Sequence, residues 1–429
     1  MRSTAARILT HPLPLWIAFV LVHLAIGAIA FSFADGTGIG DVQYAYPAWV
    51  REGFETGRWV GIQLPWVYPI LALPPMIASN ALGPALVAPL WLSLVFVIDA
   101  AAFAFVVRWG DDRRGALAAW WWLAFLLLLG PIALTRIDSF ATPVALVGVL
   151  LLARAPRAAG VLLAIGAWIK VWPAALVAAA VVAVRRRLDV LLGAVVASIV
   201  VVAVVLLLGG AANVLSFVTE QSGRGLQIES GLATPWMWEA ALHPGGPVSV
   251  YYDTGILTFQ VKGPGVDATA ALATPLLVLT VGAVLVLGIV AARRGSDAAE
   301  ILPAMALGFT TALIVANKVG SPQYVGWLAV AVVLGLAVRA TGRGVSFAGP
   351  ALLALVTAGL TQLIYPTFYP RLLAVDPTMV FVLTLRNLLL LGLFVGAIVL
   401  LVRRIVRPVG EDGEWLPAVL GGRPRRSIL

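Results

Sequence analysis

Long apolar runs constrain this chain more than any other feature of its sequence. Four of them extend over Leu15 to Phe33, Leu86 to Val107, Leu188 to Leu208 and Val380 to Val402. Each approaches the roughly 20 residues with which a helix crosses about 30 Å of hydrocarbon. Because 61% of the 429 residues are hydrophobic and only 11% are charged, the chain has too few polar residues to cover a water-soluble core. We therefore predict an all-α polytopic membrane protein.

Cysteine and charge content exclude several kinds of site. The chain has no cysteine and three histidines, so we expect no disulfide, no thiol chemistry and no Cys–His metal cage. The net charge of +9 is divided into short arginine clusters between apolar runs, which is typical of a topology signal and not of nucleic-acid binding. No small-residue cleavage site follows the first run, so we predict a retained helix.

The arginine clusters predict an orientation. With a cytoplasmic N-terminus, about twelve alternating helices place most lysines and arginines in the cytoplasm, as expected for an inner membrane protein. The cytoplasmic clusters would be Arg2 and Arg7, Arg108 with Arg113 and Arg114, Arg154 with Arg157, Arg185 to Arg187, Arg293 and Arg294, Arg339 and Arg343, and a tail over 403–429. Residues 1–429 are then one integral membrane domain with both termini inside.

Two segments are compatible with that orientation only when they are not single spans. Gln63 to Ala81 is apolar but carries four prolines, so we predict a helix at the outer surface. Ala158 to Val184 is predicted to split at Lys170-Val171-Trp172-Pro173 into two short helices, because proline disfavours helical geometry in the residue before it. Lys170 would then lie at an outward-facing break.

Function is predicted on the outer side, where the long connections fall. These are 34–83, 209–273 and 365–378, and connections longer than about 15 residues are usually functional or disordered. Asp41 and Tyr44 lie in the first of them. Asp41 is a candidate catalytic carboxylate, and the alternative is a solvated loop residue or a helix cap.

Four cations are candidates for binding an anion on this side. Lys170 suits a phosphate as a point charge, although an interfacial lysine is the alternative. Lys318 lies in an outer break with several hydrogen-bonding groups, and a plain turn is the alternative. Arg386 lies near the outer third of the last helix, where its two alternative partners are a lipid phosphate and a neighbouring carboxylate. Arg136 and Asp138 share a tight turn and are expected to pair with each other. Asp99 lies too far inward for the site and is expected to have a structural partner.

Five motifs occur in order on the predicted outer side and together resemble a known family. They are Asp41 after the first helix, Tyr68-Pro69, Arg136-Ile137-Asp138, the run from Gly166 to Pro173 that contains Lys170, and Ser321-Pro322-Gln323-Tyr324. The order resembles glycosyltransferase family 87, the bacterial polyprenyl-phosphate-mannose-dependent α-(1→2)-mannosyltransferases of the GT-C superfamily. The chain departs from many members, which carry Gly-Gln where Arg136-Ile137-Asp138 stands.

The resemblance implies a GT-C-type fold in the bacterial cytoplasmic membrane, with outer-face juxtamembrane helices. It implies an inverting transfer of a sugar, with mannose expected, from a polyprenyl phosphate to a glycolipid or polysaccharide, with Asp41 as the base. No cofactor or metal is required. The expected phosphate-binding residues are Lys170, Arg136, Lys318 and Arg386, and the expected substrate contacts are Tyr44, Tyr68, Asp138, Gln323 and Tyr324. The acceptor and its linkage stay open.

Two other classes of protein are compatible with a polytopic chain. A transporter or flippase for a lipid-linked saccharide predicts charges near mid-membrane and related halves, whereas here the candidates gather at outer breaks and no internal repeat is visible. A non-catalytic scaffold for an envelope complex predicts that the outer carboxylates are dispensable.

Overall fold

The structure, a computed structural model, describes residues 10–33, 36–108, 115–220, 223–342 and 344–406. Several arginines that carry the predicted orientation lie outside these residues: Arg2, Arg7, Arg113, Arg114, Arg343 and those of the tail after residue 406. The predicted positions of both termini therefore stay predictions.

The described part of the chain is mainly helical. Its α-helices are α1 Pro12–Ser32, α2 Tyr46–Thr56, α3 Leu73–Asn80, α4 Val87–Val107, α5 Gly115–Leu129, α6 Asp138–Leu151, α7 Pro156–Ile169, α8 Ala174–Ala183, α9 Arg187–Leu207, α10 Ser216–Thr219, α11 Thr234–Leu242, α12 Val266–Arg293, α13 Ala298–Val315, α14 Leu328–Ala340, α15 Ala348–Gln362, α16 Tyr369–Leu373 and α17 Pro377–Val406. Asp41–Ala45 and Leu363–Thr367 are π-helical, and short 3₁₀ turns precede α3, α4 and α14 and follow α5.

Nine helices among the described residues are long and apolar enough to cross a membrane, which confirms a multi-pass membrane protein. They are Pro12–Ser32, Pro84–Val107, Gly115–Ala133, Arg187–Leu207, Val266–Arg293, Ala298–Val315, Pro322–Ala340, Ala348–Thr367 and Pro377–Val406. The shorter apolar helices α6, α7 and α8 lie between the third and fourth of these. A count of twelve spans stays a prediction.

Burial divides the helices into inner and peripheral ones. Helices α13 and α14 are buried along nearly their whole length, so they form the centre of the bundle. Helices α9 and α12 are mostly exposed, and the exposed side chains are apolar, such as Leu188 and Val278. An apolar surface of this kind is what lipid tails require of a spanning helix.

The predicted break around Lys170 is confirmed. Helix α7 ends at Ile169 and α8 begins at Ala174. Lys170 itself is extended, with φ −150° and ψ 131°, and its amide donates the last helical hydrogen bond to Gly166. The break therefore turns the Lys170 side chain away from the helical course of its neighbours.

The prediction of one surface helix over Gln63 to Ala81 is wrong in its first half. Only Ile70–Asn80 is helical, and residues 59–69 form an irregular loop. Pro65 and Pro69 lack the amide hydrogens that a continuous helix would need, which accounts for the loop.

The described long connections also contain structure that the sequence did not predict. An antiparallel hairpin of β1 Ser249–Asp253 and β2 Thr258–Lys262 departs from the all-α expectation, and Val250 pairs with Val261 in it. The hairpin holds the segment 226–228, because the Val261 amide donates to Leu226 and the Ile228 amide donates to Phe259. Helix α12 begins inside the predicted loop 209–273, α16 lies inside 365–378, and α17 continues past residue 403.

Candidate functional site

Arg136 connects three distant parts of the chain at one end of the bundle. Its Nε lies 3.3 Å from Asp41 Oδ2, and its Nη2 donates a 2.8 Å hydrogen bond to the Tyr365 hydroxyl. That hydroxyl donates in turn to the Thr37 carbonyl at 2.7 Å. Asp41 begins the π-helical segment Asp41–Ala45, a conformation that is rare and often found at functional sites. Tyr365 lies at a kink after α15, with non-helical backbone angles of φ −129° and ψ 123°.

The turn that carries Arg136 is fixed against the first long connection. The Thr135 hydroxyl donates to the Gly38 carbonyl at 2.9 Å, and the Ile137 amide donates to the Tyr46 hydroxyl at 3.1 Å. Burial raises the pKa of Tyr46, and nearby carboxylates add to the effect. The hydroxyl therefore stays neutral and keeps the turn in place.

The two partners of the Asp41–Arg136 pair differ in exposure. The Arg136 side chain is 8% exposed, whereas that of Asp41 is 36% exposed. Burial acts to lower the pKa of Arg136, but the Asp41 carboxylate and neighbouring groups outweigh it, so this pKa is raised and the guanidinium stays charged. The expected pairing of Arg136 with Asp138 is wrong, because each of them faces a different oppositely charged residue.

Asp138 instead faces Lys170. The Lys170 Nζ lies 3.8 Å from Asp138 Oδ2, and the Trp327 indole donates a 2.6 Å hydrogen bond to Oδ1. The Lys170 ammonium lies 4.4 Å from the ring centre of Tyr68 and 5.7 Å from that of Tyr324. Three predicted site residues, Asp138, Tyr68 and Tyr324, are thus brought together around the ammonium group of a fourth, Lys170.

Lys170 and Asp41 belong to one electrostatic cluster. Burial lowers the pKa of Lys170, while Asp138 and, more weakly, Asp41 oppose this shift. Burial together with Asp41 and Asp138 raises the pKa of Tyr68, which keeps its hydroxyl neutral. Asp41 and Lys170 therefore lie in a single polar region.

Arg224 extends this region and was not singled out in the sequence. It lies close enough to Lys170 and Lys318 to lower the pKa of each, in addition to the effect of burial. Its Nε is buried and has no hydrogen-bond partner among the described residues. A cluster of lysine and arginine side chains with a free donor group is suited to an anion such as a phosphate.

The two remaining predicted substrate contacts differ in exposure. Tyr44 is 68% exposed, and its ring lies against Gly36. Gln323 is half-buried and lines a small cavity of about 20 Å³ together with Asp138 and Asp99. Such a volume is enough for about one water molecule.

Arg386 belongs to a separate cluster. Its Nη2 donates a 2.6 Å hydrogen bond to the Glu229 carbonyl, and both side chains are 2% exposed. Glu229 is a buried carboxylate that the sequence reading missed, because it lies in the long connection 209–273, where no motif is recognisable. Its side chain is hydrogen-bonded to Tyr369. Arg386 therefore meets a neighbouring acidic residue, one of the two alternatives for it.

Asp99 has the structural partner that was expected. His23 Nε2 lies 3.1 Å from Asp99 Oδ2, and both side chains are buried between α1 and α4. The two residues are 76 positions apart in the sequence, so their pairing depends on how α1 and α4 pack together. Among the described residues, no group of three or more His, Cys, Asp or Glu side chains converges as a metal site would require.

An open apolar groove is formed by residues of α7, α8 and α9. It has a volume of about 570 Å³ and is lined mainly by alanine, valine and leucine side chains of α7, α8 and α9. Ala167 and Ala174 of its lining flank the break that contains Lys170. Comparisons with family models, curated proteins and solved structures find no match for this chain.

Proposed function

We propose that the protein is a membrane glycosyltransferase that moves a sugar from a polyprenyl-phosphate donor to a glycolipid or polysaccharide acceptor. The observation that carries the proposal is the placement of a half-exposed carboxylate, Asp41, in one polar cluster with Lys170 and Arg136. Transfer from a lipid phosphate needs a base for the acceptor hydroxyl and cations for the departing phosphate, and this cluster contains both.

In this mechanism Asp41 takes the proton of the acceptor hydroxyl as the hydroxyl oxygen attacks the anomeric carbon. The bond to the phosphate oxygen breaks on the opposite face, so the anomeric configuration inverts. Lys170 and Arg224 stabilise the charge that develops on the leaving phosphate, and this electrostatic contribution is usually the largest in such reactions. Arg136 orients Asp41 from the buried side.

The ring contacts support a sugar in the same region. The rings of Tyr68 and Tyr324 both lie near the Lys170 ammonium, and Tyr324 stacks on Trp327 at a centroid distance of 4.2 Å. Aromatic faces with a neighbouring cation suit the apolar face of a sugar and its phosphate. Mannose as the sugar and a bacterial membrane rest on the family resemblance, and the outward-facing site rests on the orientation that the arginine clusters predict.

A transfer assay tests the proposal. Proteoliposomes that contain the purified protein receive radiolabelled polyprenyl-phosphate mannose and a glycolipid acceptor, and label is measured in the acceptor and on each side of the membrane. We expect label in the acceptor, and a roughly 10²- to 10⁴-fold lower rate for Asp41→Asn.

Two outcomes would count against the proposal. Movement of intact donor across the membrane without transfer would favour the transporter. An Asp41→Asn protein that keeps the full rate would remove the assigned base. Asp376→Asn is a matched control. Asp376 is a carboxylate in the connection 365–378, and it pairs with Arg371 at the surface.

A further inference from the structure

Glu229 is a buried acidic residue that the proposed mechanism does not use. Its side chain is 2% exposed, and its Oε2 has no hydrogen-bond partner among the described residues. A buried carboxylate in such a position is costly in its ionised form unless cations face it. The groups around Glu229 therefore determine whether it carries a charge.

The groups that face Glu229 come from three separate elements. Arg386 approaches it from α17, and Tyr369 of α16 hydrogen-bonds its side chain. Arg136, in the turn between α5 and α6, lies close enough to stabilise the ionised form. The effect is mutual for Tyr369, because burial and then the Glu229 charge raise the pKa of that tyrosine.

A continuous chain of contacts joins Glu229 to Asp41. Tyr369 packs edge-on against Tyr365, with 4.8 Å between ring centres. The Tyr365 hydroxyl accepts a hydrogen bond from Arg136, and Arg136 is paired with Asp41. Arg136 thus lies within electrostatic reach of both Asp41 and Glu229.

The segment that carries Glu229 is rigidly placed. The Ser230 hydroxyl donates to the Asn317 carbonyl at 2.6 Å, and the Gly320 amide donates to Gln227 Oε1 at 3.0 Å. The hairpin holds residues 226–228 from the other side. A change of charge at Glu229 therefore acts on its neighbours and is not absorbed by a movement of the loop.

We propose that Glu229 is a positioning residue whose protonation state controls how tightly Arg136 holds Asp41. When Glu229 is protonated, Asp41 is the main carboxylate that attracts Arg136. When Glu229 is ionised, its charge competes with that of Asp41 for the same guanidinium, and the hold of Arg136 on Asp41 weakens. Asp41 then becomes a better base.

The expected titration lies near neutral pH. Burial raises the pKa of Glu229 to about 7, against the opposing effects of Arg386, Tyr369 and Arg136. The inference rests on the proposed function, and it predicts that the transfer rate rises by about fivefold or more between about pH 6 and about pH 8. In Glu229→Gln, this rise is lost and the rate stays near the low-pH value of the wild type.

A second measurement does not depend on transfer. The infrared band of the protonated Glu229 carboxyl is identified by its absence in Glu229→Gln, and its decrease with pH gives the midpoint. Because linkage is reciprocal, Asp41→Asn must shift this midpoint. Without the Asp41 charge, Arg136 is less neutralised, so ionised Glu229 is favoured and the midpoint moves to lower pH.

The two measurements separate failure of this inference from failure of the proposed function. Absence of sugar transfer by the wild-type protein would overturn the proposed function. The pH midpoint of the infrared band would still test the coupling between Glu229 and Asp41. A rise of rate retained in Glu229→Gln, or a midpoint unchanged in Asp41→Asn, would overturn the inference. If Glu229→Gln does not fold, Tyr369→Phe is measured in its place. We expect its transfer rate to rise less between about pH 6 and about pH 8 than that of the wild type. Glu300→Gln, a buried carboxylate paired with Arg404, is the matched control and should keep the rise.

Discussion

Trp327 and Asp138 are joined by a 2.6 Å hydrogen bond from the indole nitrogen to one carboxylate oxygen. The other oxygen of Asp138 has no hydrogen-bond partner among the described residues and faces Lys170 at 3.8 Å. The tryptophan therefore fixes the carboxylate in the orientation that keeps a negative charge beside the lysine. Four predictions follow from this and related contacts.

Asp138→Asn should narrow the pH range in which Lys170 is charged. Burial already lowers the pKa of Lys170, and Asp138 opposes that shift. Without the carboxylate the pKa falls further, so the ammonium loses its proton at a lower pH as the pH rises. Binding of a prenyl phosphate, measured over a pH series, should decline at lower pH than in the wild type. Superimposed binding curves for the two proteins would contradict this prediction.

Lys170→Ala should weaken binding of a prenyl phosphate. Loss of one charge-assisted contact to a phosphate should cost about tenfold in affinity. Titration of the purified protein with the lipid phosphate measures the change. Lys262→Ala is the control, because Lys262 is exposed on the hairpin and should bind as the wild type does. Equal affinities for all three proteins would remove Lys170 from the phosphate site.

Asp41→Asn should destabilise the protein more than Arg136→Met does. The first change leaves a guanidinium that is 8% exposed without its counter-charge, at a cost of about 1–3 kcal/mol. The second leaves a carboxylate that is 36% exposed and hydrated, and Tyr365 keeps its bond to Thr37. Unfolding in detergent by denaturant or heat measures the difference. The double variant should recover part of the loss, and an equal loss in both single variants would argue against the asymmetry.

Gly320→Ala should displace the segment that carries Glu229. A Cβ at position 320 would overlap the backbone of Glu229 and Ser230, and neither can move aside as a flexible side chain could. We expect a lower unfolding temperature and an altered pH profile of transfer. Gly349→Ala is the matched control, since no atom lies within 4 Å of a Cβ there. That helical position should be unaffected or slightly stabilised.

Local chemistry made part of the site predictable from sequence. The proline at 173 predicted the helix break, and the break places Lys170 among Tyr68, Asp138 and Tyr324. The lengths of the apolar runs predicted the spanning helices in the same way. The helix break and the spanning helices both depend only on residues that are neighbours in the sequence. These features need no knowledge of how distant segments pack.

The partners of the charged residues were not predictable, because tertiary packing chooses them. Arg136 was expected to pair with Asp138, two residues later in the sequence. It pairs instead with Asp41, which lies in the first long connection. Glu229 and Arg224 lie in a connection without helical periodicity, so nothing in the sequence marked them as buried. The hairpin that holds this connection was missed in the same way.

The shortness of two helices has a consequence for the depth of the site. Helix α6 begins at Asp138 and α7 ends just before Lys170, and each has 14 residues. At about 1.5 Å per residue, each is about 21 Å long, whereas the hydrocarbon layer is about 30 Å thick. When their far ends lie at one boundary of that layer, Asp138 and Lys170 lie about 9 Å short of the other. A lipid phosphate would therefore have to sink below the level of its neighbours' headgroups, and its sugar would react within the thickness of the membrane.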